Sequence, residues 1–189
     1  GDQGVSRAAA ANDHVVLRQN PAFHLHAGDI CYADTNGRGE KSDGYDPAFW
    51  DLFLKQNEPV ARSVPWMVTT GNHDMEAWYS PEGYGGLLAR FSLPDSGFDA
   101  RTAPGVYAFT YGNVGFVALD ANDVSYEIPA NFGYSGGRQT KWLDEKLSAL
   151  PLEKVCDEAG NQWFTLPGRD PRALLIGGHI DSVPNGGWL

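Results

Sequence analysis

Two short apolar runs in this chain each end in a glycine that is followed by a polar side chain with an oxygen donor. The first run ends at Gly28-Asp29 and the second at Gly71-Asn72. Each run follows a stretch with helical spacing of its apolar residues. Alternating helices and strands predict an α/β fold, and open α/β sheets hold their ligands at the carboxyl ends of their strands. The predicted helices cover residues 6–20 and 47–61, and the predicted strands cover residues 22–27 and 65–70.

The pattern changes after the second run. Gly112-Asn113 lies between two apolar stretches, and such a turn is a strong signal for a β-hairpin. A short helix is predicted before the hairpin and an amphipathic helix after it. The helices are expected over residues 83–90 and 139–150, and the hairpin strands over residues 105–111 and 114–119.

Several oxygen donors follow the strand ends at suggestive spacings. Asp29 and Tyr32 are three residues apart, Asn72 precedes His73, and Asp2 lies between glycines at the start of the chain. Hard trivalent iron prefers carboxylate and phenolate oxygens, and glycine allows a backbone turn to pass close to an ion. Each Asp or Asn taken singly has a second interpretation, because these side chains also stabilise turns through local hydrogen bonds.

The three motifs together resemble a known family. Gly1-Asp2-Gln3-Gly4, then Gly28-Asp29 with Tyr32, then Gly71-Asn72-His73-Asp74 are similar to the first three metal motifs of the purple acid phosphatases, which are calcineurin-like metallophosphoesterases. The resemblance covers about residues 1–149. It implies the metallophosphoesterase-type α/β sandwich, with two sheets flanked by helices, which we expect to be truncated in its second half.

The same resemblance implies the chemistry. It implies a dinuclear metal centre that combines Fe(III) with a divalent ion (Fe, Zn or Mn) and hydrolyses small-molecule phosphate esters. Asp2, Asp29 and Tyr32 would bind the ferric ion, and Asp29 would bridge to a second ion bound by Asn72. His73 would act on the phosphate as a hydrogen-bond donor or general acid, a role that suits the unperturbed pKa of an imidazole. The alternative for His73 is a hydrogen bond to Asp74 or to a loop carbonyl.

The tail resembles a different family. The histidine motifs expected of a phosphatase after Leu150 are not found, and the run from Gly177 through His179 and Asp181 is similar to the zinc amidohydrolases that cleave N-carbamoyl amino acids and allantoate. We therefore divide the chain into a partial metallophosphoesterase domain at residues 1–150 and a short amidohydrolase-like segment at residues 151–189. Two alternatives to the phosphatase stay open: an amidohydrolase fragment, and a metal-binding remnant without activity.

Composition restricts the partners. The formal net charge is −10, which disfavours nucleic acid and anionic membrane surfaces, although bound cations would still attract a phosphate. No apolar run approaches the roughly 20 residues that span a bilayer. The sequence leaves the oligomeric state open. An extracellular or periplasmic location is expected if the phosphatase resemblance holds.

Three further features have a structural interpretation. His24 and His26 share one face of a strand, where we expect them to pack in the core or behind the metal ligands rather than chelate an ion. Cys31 is expected to be a small, partly buried residue rather than a soft ligand. Ser135 lies in a formal Gly-x-Ser-x-Gly motif, but no convincing strand precedes it, so a glycine loop is predicted there instead of a nucleophile elbow.

Overall fold

A computed structural model describes residues 1–33, 44–75, 83–124, 132–156, 158 and 162–165. His179 and Asp181 lie outside the described residues. None of the helices in the described ranges is long and apolar enough to cross a membrane.

Up to residue 148, the described helices and strands follow one another in the predicted order. Two single 3-10 turns, Asn72–Asp74 and Ala121–Asp123, follow strand ends. The four helices are α1 (Arg7–Arg18), α2 (Ala48–Ala61), α3 (Gly85–Leu88) and α4 (Arg138–Ser148). The six strands are β1 (His24–Ala27), β2 (Trp66–Thr69), β3 (Tyr107–Tyr111), β4 (Val114–Ala118), β5 (Glu153–Cys156) and β6 (Gln162–Thr165).

Strands β1 and β2 form the parallel pair that positions the candidate site. Their register places His24 opposite Trp66 and Ala27 opposite Thr69. Both strands therefore end at the same level, and the loops that follow them leave the sheet side by side. This confirms that the two glycine motifs meet at one edge of a parallel pair.

A hairpin of β3 and β4 packs beside β2. The hairpin is antiparallel and turns at Gly112, as predicted from the Gly-Asn pair. Tyr107 on β3 donates a hydrogen bond from its hydroxyl to the Val68 carbonyl at 2.7 Å, and the Thr69 hydroxyl lies 2.6 Å from the Leu119 carbonyl. These bonds bring the chain after β4 close to the loop that follows β2.

The main described core lies between α2, β2 and the loop after β1. Its buried members include Trp50 and Phe53 from α2 and Val68 from β2. Ile30 and Cys31 belong to the same cluster and are 0% exposed. The loop that carries Asp29 and Tyr32 is thus anchored in the core by its own apolar side chains, and this limits its movement.

The β5–β6 hairpin was not predicted from the sequence. Each residue of β5 is exposed, and the strand lacks the alternation of apolar and polar residues that would indicate one buried face. Cys156 at its end is also exposed. This hairpin belongs to the segment in which we predict the amidohydrolase-like tail, and that division of the chain stays a prediction.

Candidate metal centre

Three predicted metal ligands adopt an unusual backbone conformation. Asp2 has a φ of 56°, Asp29 of 51° and Tyr32 of 59°. Among the described residues, Asn20 at the end of α1 is the other non-glycine residue with positive φ. A bulky side chain in the left-handed region is a genuine outlier, and such strain persists at functional sites where the surroundings fix it. The coincidence of strain with predicted ligands supports a functional role for these loops.

Backbone hydrogen bonds hold the first loop against the second. The Gln3 N–H donates to the Asp29 carbonyl at 3.1 Å, and the Gly4 N–H donates to the Ile30 carbonyl at 3.0 Å. Asp2 therefore lies beside Asp29 although 27 positions separate them in the sequence. The pairing explains how a strained turn is kept in place, because neither segment can relax without breaking these bonds.

The oxygen atoms of the three side chains converge. The Tyr32 hydroxyl donates a hydrogen bond to Asp2 Oδ1 at 2.7 Å and lies 3.5 Å from Asp29 Oδ2. Two carboxylates and one phenol thus meet within hydrogen-bonding distance. This is the donor chemistry that a hard trivalent ion prefers, so the residues present fit the oxygen-rich half of the expected metal centre.

Two members of this cluster, Asp29 and Tyr32, have raised pKa values. Burial is the largest cause of the raised pKa of Asp29, and the nearby Asp2 contributes in the same direction. Burial also raises the pKa of Tyr32, followed by its hydrogen bond to Asp2 and the charge of Asp29. Burial makes the larger contribution to these shifts, and a bound cation would offset the part that comes from neighbouring negative charge.

The second loop brings Asn72 and His73 to the same edge. Asn72 begins its 3-10 turn directly after Gly71, and a side chain at Gly71 would collide with the amide and carboxylate of Asp29. The His73 N–H donates to Asp29 Oδ1 at 3.1 Å. The His73 ring packs on the Tyr32 ring with 4.4 Å between centroids. His73 therefore contacts two of the predicted ligands, Asp29 and Tyr32. Asn72 is the residue that precedes His73 in the same turn.

Asp74 joins the two strand-end loops. Its carboxylate accepts the Ile30 N–H and the Gly71 N–H, each at 2.8 Å. Burial raises the pKa of Asp74 to about 7. One buried carboxyl group thus fixes the spacing between the Asp29 loop and the Asn72 loop, a role that the sequence motif did not reveal.

A polar network inside the core anchors the first loop. The Gln3 amide donates to the Asp13 carboxylate at 2.9 Å and to Asn57 Oδ1 at 2.9 Å, and His26 Nε2 lies 3.0 Å from Gln3 Oε1. Burial is the main cause that lowers the pKa of His26 to about 3. His24 and His26 both stack on Trp66. The pair therefore packs behind the candidate ligands, in agreement with the prediction.

The described residues also define what the site lacks. No group of three or more His, Cys, Asp or Glu that could hold a metal ion lies within the described ranges. A metal centre at these loops, as predicted from the sequence, would use Tyr32 and Asn72 in addition to the two carboxylates. Cys31 is fully buried beneath this loop, and burial raises the pKa of its thiol to about 12, which fits a core residue rather than a ligand.

Ser135 is held by structural contacts. Its hydroxyl donates to Asp123 Oδ2 at 2.6 Å, and its N–H donates to Asp123 Oδ1 at 2.8 Å. The side chain is buried just before α4. The Gly-x-Ser-x-Gly motif is therefore a glycine loop that anchors a helix, as predicted.

Comparison with known proteins defines the family. A family model described as calcineurin-like phosphoesterase matches residues 3–181. The chain therefore belongs to the calcineurin-like phosphoesterase family. The match continues beyond residue 149, where the predicted phosphatase resemblance ended.

Comparison with individual proteins shows which members of the family the chain resembles. An uncharacterized protein of Mycobacterium tuberculosis is 35% identical over 145 residues, which cover 75% of this chain and 26% of that protein. Purple acid phosphatase 23 of Arabidopsis thaliana is 29% identical over 182 residues, which cover 87% of this chain and 36% of that protein. The match to the Arabidopsis protein confirms the predicted resemblance to the purple acid phosphatases.

A solved structure supports the fold. Purple acid phosphatase PPD1 from yellow lupin (Lupinus luteus) seeds has a TM-score of 0.51 to this chain at 21% identity, covering 79% of this chain and 27% of the lupin chain. The α/β metallophosphoesterase-type fold is thereby confirmed. The chain spans between 26% and 36% of the length of these three proteins.

Proposed function

We propose that this chain carries part of a dinuclear metal centre that hydrolyses small-molecule phosphate monoesters, of the acid phosphatase type. The observation that carries the proposal is the convergence of the Asp2, Asp29 and Tyr32 oxygens on three strained backbone positions. Turn stabilisation alone would not require a tyrosine at positive φ, because Asn, Asp or Gly adopts that conformation at lower cost.

The donors divide between two ions by their chemistry. Asp2, Asp29 and Tyr32 would hold Fe(III), and Asp29 with Asn72 would hold a divalent ion of Fe, Zn or Mn. The chemistry supplied by such a pair, when bound, is a clamp on the phosphate oxygens and activation of water as the nucleophile. The purple acid phosphatases to which the chain is similar support this assignment.

His73 is proposed to donate a proton to the leaving oxygen of the ester. Its backbone N–H is engaged by Asp29 and its ring rests on Tyr32, so the imidazole is held at the edge of the oxygen cluster. A histidine side chain placed within reach of the leaving oxygen can donate a proton to it. Substitution of His73 should therefore lower turnover more than it lowers metal affinity.

The decisive experiment replaces the proposed bridging carboxylate. Asp29→Asn keeps the side-chain shape and removes the charge, so we expect loss of bound metal and of p-nitrophenyl phosphate hydrolysis with little change in the fold. Asp144→Asn is the matched control, since Asp144 pairs with Lys154 on the surface of α4. Turnover that survives Asp29→Asn, with activity in the control unchanged, would show that the two-metal proposal is wrong.

Optical spectroscopy tests Tyr32 independently of catalysis. Tyrosinate bound to Fe(III) should produce a visible charge-transfer band in the iron-loaded protein, and Tyr32→Phe should remove that band. Iron-loaded protein that is colourless would exclude Tyr32 as a ligand.

The tail alternative requires its own test. His179 and Asp181 carry the amidohydrolase prediction and lie outside the described residues. Metal analysis and assays with p-nitrophenyl phosphate and an N-carbamoyl amino acid, on one preparation, distinguish a phosphatase, an amidohydrolase and a metal-binding protein without turnover.

A further inference from the structure

A second buried polar network contacts the loop that carries Asn72. Asn122, in the 3-10 turn after β4, donates from Nδ2 to the Gly71 carbonyl at 2.9 Å. The same Nδ2 also donates to the Tyr84 hydroxyl at 2.9 Å. The side-chain amide of Asn122 therefore has an acceptor for each of its two hydrogen atoms. One of these acceptors is the carbonyl of Gly71, the residue that immediately precedes Asn72.

The Asn122 side chain is held by a closed ring of hydrogen bonds. The Tyr84 hydroxyl donates to Asp120 Oδ2 at 2.5 Å, and Asp120 Oδ1 accepts the Asn122 N–H at 3.0 Å. Asp120 is 0% exposed, Tyr84 1% and Asn122 4%. Because buried polar groups without partners are costly, this ring has one favoured arrangement and little tolerance for another.

Helix α4 fixes the ring to the rest of the domain. The Gln139 side chain accepts the Asp120 N–H at 2.8 Å and donates to the Asp120 carbonyl at 3.0 Å. The Tyr134 hydroxyl, from the loop before α4, donates to Asp120 Oδ2 at 2.7 Å. The position of Asn122 is therefore determined by contacts to α4 and not by its own short turn alone.

The Gly71 backbone is held at both of its polar atoms. Asp74 Oδ2 accepts its N–H at 2.8 Å, and Asn122 Nδ2 binds its carbonyl, which also accepts the Asp74 N–H at 3.3 Å. Glycine has the greatest backbone freedom of any residue, so without these bonds the Gly71–Asn72 peptide could rotate. Rotation of that peptide would change the direction in which the Asn72 side chain leaves the backbone.

We infer that Asn122, oriented by Tyr84 and Asp120, is a positioning residue that fixes Asn72 for the divalent ion. The inference rests on the proposed function. Partners that orient metal ligands without touching the metal typically change its affinity by about 10- to 100-fold when they are removed. This role was not predicted from the sequence, because Asn122 lies outside the metal motifs.

The test compares two tyrosines that share one acceptor. Tyr84→Phe and Tyr134→Phe each remove a hydroxyl that donates to Asp120 Oδ2, but only the Tyr84 hydroxyl accepts a bond from Asn122 among the described contacts. Titration of Mn²⁺ into iron-loaded protein by calorimetry, well below the melting temperature of each variant, measures the affinity for the divalent ion. We expect both variants to lose stability and only Tyr84→Phe to bind Mn²⁺ more weakly.

Asn122→Ala should give the larger effect, a loss of Mn²⁺ affinity of about 10- to 100-fold. Equal Mn²⁺ affinity in wild type, Tyr84→Phe and Tyr134→Phe would overturn the inference, whether or not Asn122→Ala folds. An equal loss in both tyrosine variants would overturn it too, because the effect would then follow stability rather than the Asn122 contact. Wild-type protein that binds neither iron nor Mn²⁺ would overturn the proposed function itself.

Discussion

The loops after β1 and β2 differ from the β5–β6 hairpin in how strongly their surroundings fix them. Ile30 and Cys31 are fully buried beneath the Asp29 loop, and Asp74 joins that loop to the next one. In the hairpin, every residue of β5 is exposed, and an ion pair from Lys154 joins it to Asp144 on α4. The first region can therefore hold backbone strain, whereas nothing described in the hairpin requires a single conformation of its side chains.

This difference shows what positive φ at Asp2, Asp29 and Tyr32 depends on. This conformation costs roughly 1–2 kcal/mol at Tyr32 and less at the two aspartates. The buried side chains, the paired loop backbones and the Asp74 carboxylate offset that cost. Predictions about the first region should consequently involve several kcal/mol, and predictions about the hairpin should involve less than one.

The largest effect is expected for Gly28→Ala. Gly28 has a φ of +73°, and an added Cβ would collide with the Gly71 backbone. Left-handed strain and overpacking together should lower the free energy of unfolding by about 4 kcal/mol. Gly112→Ala is the matched control, because Gly112 has a φ of +60° with no described heavy atom within 4 Å of the added Cβ. Urea unfolding should show a loss of only about 1 kcal/mol for the control.

A cavity comparison comes next in size. Ile30→Ala should cost about 3 kcal/mol, because it removes buried side-chain atoms from the core beneath Asp29. Val155→Ala should change the free energy of unfolding by no more than about 0.5 kcal/mol, since Val155 is 59% exposed. Similar midpoints for the two variants in urea would remove the distinction between the two regions.

Acid should lower the free energy of unfolding through His26, which lies in β1. Its pKa is lowered to about 3 in the folded state, against 6.5 in the unfolded chain, so the unfolded state binds the proton more readily between these values. Stability from this group is complete above pH 6.5 and falls by about 2 kcal/mol by pH 5. The increase of the free energy of unfolding with pH should be smaller in His26→Gln, whose side-chain amide can still donate to Gln3.

The difference in pH dependence between wild type and His26→Gln reports the contribution of His26. The raised pKa of Asp74 acts in the opposite sense, adding stability below the unfolded value of 3.8 that is lost as pH rises through about 7. That contribution is common to wild type and His26→Gln and cancels in the comparison. Parallel pH profiles of the two proteins would contradict the assignment of a buried neutral imidazole.

The smallest effect concerns the surface ion pair. Lys154 and Asp144 are 2.8 Å apart, with 41% and 46% of their side chains exposed. A double-mutant cycle with Lys154→Met and Asp144→Asn should give a coupling of about 0.5 kcal/mol that decreases with added salt. A coupling of several kcal/mol would mean that the hairpin is held as firmly as the strand-end loops.

The sequence predicted the parts of the fold that have a strong period or strong turn chemistry. Apolar spacing located α1, α2 and α4, and the Gly112 turn located the β3–β4 hairpin. The β5–β6 hairpin escaped prediction because an exposed strand has no buried face and so no period to detect. Strand boundaries were too long by one or two residues, as for β1, since apolar flanks continue beyond the paired segment.

The sequence indicated which candidate ligands lie on neighbouring turns, but not the residues that support those turns. Glycines beside Asp2 and Asp29 indicated sharp turns, and these turns exist. The supporting roles of Gln3, Asp74 and Asn122 depend on burial and on partners many residues away. Nothing local distinguishes a buried polar residue of this kind from a solvated one, so these roles required coordinates. The ligand roles themselves stay predictions until metal is measured.

Cys31 has a practical consequence for anyone who handles this protein. It is one of two cysteines in the chain and lies between Asp29 and Tyr32 with no exposed surface, while Cys156 is exposed. An alkylating reagent should therefore modify Cys156 at once and reach Cys31 only when the loop detaches from the core. The delay before Cys31 is modified therefore measures how often this loop opens.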